Sequence, residues 1–182
     1  MLDRTALKEK RLTNSESKNK LLKLIYDTDI MDADQIVNDY IEFDQRIDPY
    51  VKDVSVLINR DIDDGKRVLL EGAQGTMLDI DFGTYPYVTS SNPIAGGACT
   101  GLGVGPTRIT RALGIAKAYT TRVGMGPFPT EFDETFGDYI RQLGGEYGAT
   151  TGRPRRCGWL DIVVLRMAAM LNGLTDLAIT KL

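Results

Sequence analysis

The sequence predicts an α/β fold: a mainly parallel sheet flanked by helices, preceded by a helical N-terminal segment. Three observations carry that expectation. Ile36, Tyr40, Phe43, Ile47, Tyr50 and Val54 recur at alternating spacings of four and three, which puts them on one face of a helix. Beyond residue 66, short apolar runs alternate with glycine loops, and 18 of the 19 glycines lie there. Charge changes at the same place: residues 1–66 hold 11 basic and 15 acidic side chains, residues 67–182 hold 11 and 10. The expected organisation is therefore a helical segment over 1–66 and an α/β part over 67–182.

Taken in order, the polar stretch Arg11–Lys20 reads as exposed or disordered, and Leu21, Leu22, Leu24 and Ile25 as a short helix. The main amphipathic helix follows, with Asp34 as N-cap or first-turn acid and a kink or break at Pro49. Arg67–Leu70 reads as a buried strand entering the loop Glu71-Gly72-Ala73-Gln74-Gly75-Thr76. Ala118–Val123 is a second strand, rich in Tyr, Thr and Val and ended by Gly124. Pro129–Leu143 reads as a helix with Glu131, Asp133 and Glu134 in its first turn. Asp161–Asn172 carries only Asp161 and Arg166 as charges, so a helix buried almost all round is expected, with Gly173 as its left-handed stop. Leu177–Leu182 completes the set as a third strand.

Composition excludes much chemistry. The chain has no histidine, which removes Ser-His-Asp and Cys-His nucleophile systems and histidine-dependent metal sites. Cys99 and Cys157 alone give no disulfide framework and no zinc spacing, which fits a reducing, cytoplasmic setting. A net charge of -3 argues against nucleic acid as the main partner. No apolar run is long enough to span a membrane, and the first ten residues lack the apolar stretch of a secretory signal.

Several motifs place chemistry-bearing groups. Glycines on both sides of Ala73-Gln74 let backbone approach a ligand, and Gln74 offers an amide that donates and accepts, as a base edge requires. A tight turn with a surface glutamine explains the same spacing equally well. Thr84 to Asn92 sets small polar side chains in a row, suited to turns and to phosphate contacts. Asp79 and Asp81 form a pair too sparse in oxygen ligands for a metal. Gly101-Leu102-Gly103-Val104-Gly105 fails the dinucleotide fingerprint at Pro106. The richest segment is Gly148 to Arg156, where two threonines, a glycine and three arginines make an anion cradle.

Together these segments resemble adenylosuccinate synthetase. The stretches that carry the resemblance are Glu71–Asp81 (EGAQGTMLDID), Gly83–Asn92 (GTYPYVTSSN), Lys117–Glu131 (KAYTTRVGMGPFPTE) and Gly148–Asp161 (GATTGRPRRCGWLD), while Thr180-Lys181-Leu182 resembles the start of the guanine-recognition motif. The resemblance implies an incomplete P-loop-NTPase-like core and a GTP-dependent C–N ligase of purine biosynthesis. Such a ligase joins IMP and L-aspartate into adenylosuccinate with magnesium, and works as a homodimer. Carried over by motif, Gln74, Thr89, Val123 and Arg153 would contact IMP. Ala149, Thr150, Thr151, Gly152, Arg153, Pro154 and Arg155 would form the loop that grips aspartate. Arg155, Lys181 and Leu182 would face GTP. The family's phosphate loop, its catalytic aspartate and histidine and its magnesium ligands have no counterpart in this sequence, nor does the guanine-reading aspartate. The resemblance thus implies a central fragment, inactive alone, with no catalytic residue of its own, and makes 67–182 its central, substrate-binding part. A stand-alone nucleotide- or anion-binding module without catalysis is the competing expectation.

Overall fold

A computed structural model describes residues 3–182. The chain forms two compact units, one running to Asp53 and the other from Val54 to Leu182.

In the first unit, α1 (Arg4–Leu24) packs on α2 (Ala33–Ile47). Asp3 and Asp32 cap them, each accepting two amide hydrogens of the first turn with a carboxylate oxygen. Asn19 fastens the connection by donating to Met31 O and accepting from Met31 N, both at 2.8 Å. The polar run Arg11–Lys20 thus lies inside α1, against expectation. Its lysines and glutamate are good helix formers, and capping at Asp3 with docking at Asn19 supplies the rest. Asp34 is a first-turn acid, and a 3₁₀ turn at Asp48–Tyr50 ends α2 where proline breaks the pattern. Val37 is the buried residue of α2, and Tyr40 takes Arg11 of α1 over its ring while staying half-exposed, whereas Phe43 and Ile47 face outward.

The second unit opens with α3 (Val54–Asp63) and α4 (Gly96–Leu102), which touch each other. It has four short strands: β1 (Leu113–Lys117), β2 (Tyr119–Arg122), β3 (Arg156–Trp159) and β4 (Asp176–Thr180). β1 and β4 pair in parallel, Leu113 opposite Asp176 through Lys117 opposite Thr180. β2 and β3 pair antiparallel, Tyr119 opposite Trp159 through Arg122 opposite Arg156. Ala118 alone joins β1 to β2, and its amide donates to Thr180 O at 2.8 Å. The helices α5 (Glu134–Gly144) and α6 (Ile162–Asn172) begin at the caps Asp133 and Asp161 and end at left-handed Gly145 and Gly173.

Three expectations are corrected here. Arg67–Leu70 is not a strand; it has no ladder partner among the described residues, and Leu69 is 89% exposed, so strand-forming composition alone does not place it in a sheet. The helix expected from Pro129 starts at Glu134, because Pro129–Phe132 is held as a turn and a bridge onto Gly158. α6 is not enclosed: Val163 is 78% and Met170 71% exposed. Lack of charge marks a face that can be covered without saying that it is.

Candidate functional site

The loop Glu71–Thr76 brings Gln74 to the surface with φ +67°, a left-handed backbone that favours glycine or amide residues. Its side chain closes a ring with the polar run of the next loop. Gln74 Nε2 donates to Thr89 Oγ1 at 3.1 Å, Ser91 Oγ donates to Gln74 Oε1 at 3.2 Å, and the two hydroxyls stand 3.2 Å apart. The base of this loop is pinned by α6: Asn172 Nδ2 donates to Thr76 Oγ1 at 3.0 Å, and Asn172 Oδ1 accepts from Ala95 N at 2.7 Å. Asp79, fully buried, accepts from the amides of Asp81 and Phe82 and from Asn92 Nδ2. The two-aspartate pair is thereby explained as turn chemistry.

Arg122, at the end of β2, ties that polar loop to the turn carrying Val123. Its guanidinium donates to Thr84 Oγ1 at 2.9 Å, Tyr87 O at 3.0 Å and Met125 O at 2.9 Å. A Cβ on Gly126 would lie 2.3 Å from this guanidinium, so the glycine there is required by the arginine. Burial, then repulsion from Arg156, lowers the Arg122 pKa. Arg156 forks onto Glu131, donates to Gly124 O and Gly126 O, and lies over the Phe128 ring. The terminal nitrogen of Arg153 comes up to the same turn, 3.8 Å from where a Gly124 Cβ would stand.

Arg153 reaches there from the arginine-rich segment, which folds as a short exposed hairpin. Tyr147 and Pro154 bridge across its base, Gly148 N donates to Arg153 O at 2.9 Å and Gly152 N to Gly148 O at 2.8 Å. Ala149, Thr150, Thr151, Gly152, Arg153 and Pro154 are all exposed. Arg156 is not part of this loop but the first residue of β3.

Beneath the hairpin sits Glu146, only 1% exposed. Its Oε2 accepts from Lys117 Nζ at 2.6 Å and Arg155 Nη1 at 2.9 Å, its Oε1 from the Tyr119 hydroxyl at 2.6 Å, and Lys181 Nζ stands 3.9 Å away. Burial pushes this carboxyl up, but the bonds from Lys117, Tyr119 and Arg155 outweigh it and hold the group below the ordinary carboxylate range. One anion facing three cations leaves local positive charge, which suits an anionic ligand. Lys181 also donates to Gly144 O and follows β4 with φ +59°, while Leu182 is fully exposed.

Gln74 and Thr89 are thus in direct contact, the Arg153 guanidinium comes up to the turn that carries Val123, and Arg155 and Lys181 share one carboxylate. Sequence reasoning missed Arg122, Lys117, Tyr119 and Glu146. One signal was present: three arginines in a short span repel one another and demand counter-ions, which turn out to be Glu131 and Glu146.

The comparisons with known proteins agree with the motifs. A family model described as adenylosuccinate synthetase matches residues 1–182. The chain is 61% identical over 182 residues to the adenylosuccinate synthetase of Salinibacter ruber, all of this chain and 42% of that relative. It is 60% identical over 176 residues to that of Thermodesulfovibrio yellowstonii, 97% of this chain and 41% of the relative. Among solved structures it is similar to a fully ligated adenylosuccinate synthetase from Plasmodium falciparum, with TM-score 0.82 and 40% identity over 96% of this chain and 41% of that one. A cyanophage S-2L succinoaminodeoxyadenylate synthetase matches at TM-score 0.50 and 28% identity over 60% of this chain and 34% of that one. The chain spans about two fifths of the length of the relatives it matches. On the motifs, the fold and these matches, it belongs to the adenylosuccinate synthetase family.

Proposed function

We propose that this chain supplies the IMP- and aspartate-binding centre of a GTP-dependent ligase that forms adenylosuccinate, in the cytoplasm and as part of a homodimer. The observation that carries the reading is the convergence on the Val123–Gly126 turn. Arg153 arrives there from the hairpin, and Arg122 ties the same turn to the loop that leads to Thr89.

In this reading the Gln74 amide meets the IMP base edge, and the Thr89 hydroxyl donates to the phosphate. Arg153 serves two ligands, IMP and the aspartate carboxylates gripped by Ala149 to Arg155. Arg155 and Lys181, with Leu182 beside them, face GTP. Phosphoryl transfer to the purine oxygen and displacement by the aspartate amine depend mostly on positioning and on charge stabilisation, which is what glycine loops and guanidinium forks provide. Magnesium, which the family's GTP chemistry uses, finds no cage here: among the described residues no three acidic, cysteine or histidine groups cluster to hold a metal.

Calorimetric titration of the chain with IMP tests this. Arg153→Ala should weaken IMP binding by about 10- to 100-fold, the range of one charge-assisted contact. Equal IMP affinity in wild type and variant, or no IMP binding by the wild type, overturns the assignment.

A further inference from the structure

Resting on that reading, we infer that Glu146 is a positioning residue that couples the aspartate-gripping hairpin to the guanine-side lysine, so that nucleotide at Lys181 orders the loop 147–155. Glu146 stands where the two meet. Its backbone carbonyl accepts from Arg155 N at 3.0 Å, closing the hairpin base, and its side chain accepts from the Arg155 guanidinium across that base. The same carboxylate takes Lys117 at the end of β1 and draws in Lys181 just past β4, and Lys117 and Thr180 are register partners. One buried anion thus fixes the end of the β1–β4 ladder and the root of the hairpin together.

The physical reason for coupling is that the three cations cannot be placed independently. A buried carboxylate is tolerable only while it is paired, and the cations around it repel one another unless it is charged. A ligand that engages Lys181 alters the field at Glu146 and hence the hold on Arg155. Tyr119 completes the cluster as an uncharged donor, so Tyr119→Phe removes one neutral hydrogen bond while leaving every charge of the cluster in place.

Amide hydrogen exchange on the 182-residue chain, with GTP as probe, decides the matter. In Glu146→Gln, the amides of Gly148, Gly152 and Arg155 and that of Ala118, which donates to Thr180, should exchange about tenfold faster. Gly137 and Leu165, in the first turns of α5 and α6, should stay within about twofold, as should all of these amides in Tyr119→Phe. GTP should slow the hairpin amides of the wild type about fivefold and leave those of Glu146→Gln unchanged. Acceleration of the hairpin or of Ala118 alone, of neither, or of all amides alike overturns the coupling. If Glu146→Gln fails to fold, Lys181→Met gives the same reading from the exposed side of the cluster. Hairpin amides faster by about threefold support the link, and unchanged ones refute it. Absence of any GTP effect on wild type refutes the nucleotide assignment, while the ligand-free comparison still judges the link.

Discussion

The two ladders of the second unit are built from equally short strands but closed in opposite ways. β2–β3 is enclosed by its own chain. Cys157 is buried, Gly158 lies under Phe128 and the Thr130 carbonyl, and Phe132 packs edge-on against both Phe136 and Trp159 at centroid distances of 4.7 and 4.9 Å. β1–β4 is bare by comparison: Ile115 is 68% exposed, and Leu113, Leu177 and Ile179 are also open. It is held at its ends instead, by Arg111 on Asp176 at one and by Lys117 and Lys181 around Glu146 at the other. The arginine-rich hairpin therefore springs from the packed ladder, whereas Lys181 follows a ladder held by charge.

Two glycine substitutions should separate the ladders most widely. A Cβ on Gly158 in β3 would stand 2.4 Å from the Thr130 backbone oxygen and 2.6 Å from the Phe128 ring, and backbone cannot step aside. Gly158→Ala should therefore cost about 3 kcal/mol or more in urea unfolding. A Cβ on Gly114 in β1 would come just as close, 2.5 Å, but to the methyl end of Leu174, which can rotate away. Gly114→Ala should cost less than about 1 kcal/mol, because alanine also restricts the unfolded chain. Equal losses would mean that β1 is as tightly enclosed as β3.

How far the sequence shows this difference depends on what determines each element. α6 carries local signals, an aspartate cap and a left-handed glycine, and is legible to within a residue. α5 is legible as a helix but not in its start, because Pro129–Phe132 is held by the bridge onto Gly158. β2 and β4 are legible from their β-branched and apolar runs. β3 is not: Arg156-Cys157-Gly158-Trp159 looks like loop, and it becomes strand only through pairing with β2 and the aromatic cover over Gly158. Arg67–Leu70 fails the other way, with strand composition and no ladder partner among the described residues. In the site, Gln74, Thr89 and the arginines stand out by residue type. Glu146 does not, since a lone acid beside a loop has no pattern; only the fold brings Lys117, Lys181 and Tyr119 to it.

Acid should reveal the charge-held ladder. Arg111 reaches both Asp176 oxygens and Thr175 Oγ1 donates to one of them, so these bonds hold the Asp176 carboxyl down to about 2. Its folded pKa lies below its unfolded value, so the unfolded state binds the proton more readily. The stabilisation is present above about pH 4 and is lost as pH falls towards 2. Urea unfolding across that range should show wild type losing stability that Asp176→Asn never had. Glu131 and Glu146 are lowered as well and contribute an acid limb to both proteins, so the difference between the two curves is the quantity to read. A constant difference from neutrality to pH 2 would remove Asp176 from the account of β1–β4.

Alkali should act on the packed ladder instead, and more weakly, because a single neutral hydroxyl is involved. Burial first, and then its bond to Glu146, pushes the Tyr119 hydroxyl up to about 12. Here the folded pKa lies above the unfolded value, so the sign reverses. The contribution is complete below about pH 10 and is lost as pH rises towards 12, where a phenolate would face the Glu146 carboxylate. The absorbance of phenolate should show an ionisation step near pH 12 that Tyr119→Phe removes. The same substitution should flatten the stability loss between pH 10 and 12 while leaving the acid limb of Asp176 untouched, since the two groups sit on different ladders. If Tyr119→Phe instead changes the difference between the wild-type and Asp176→Asn acid curves, the two ladders are one electrostatic unit, and the division between packed and charge-held halves is wrong.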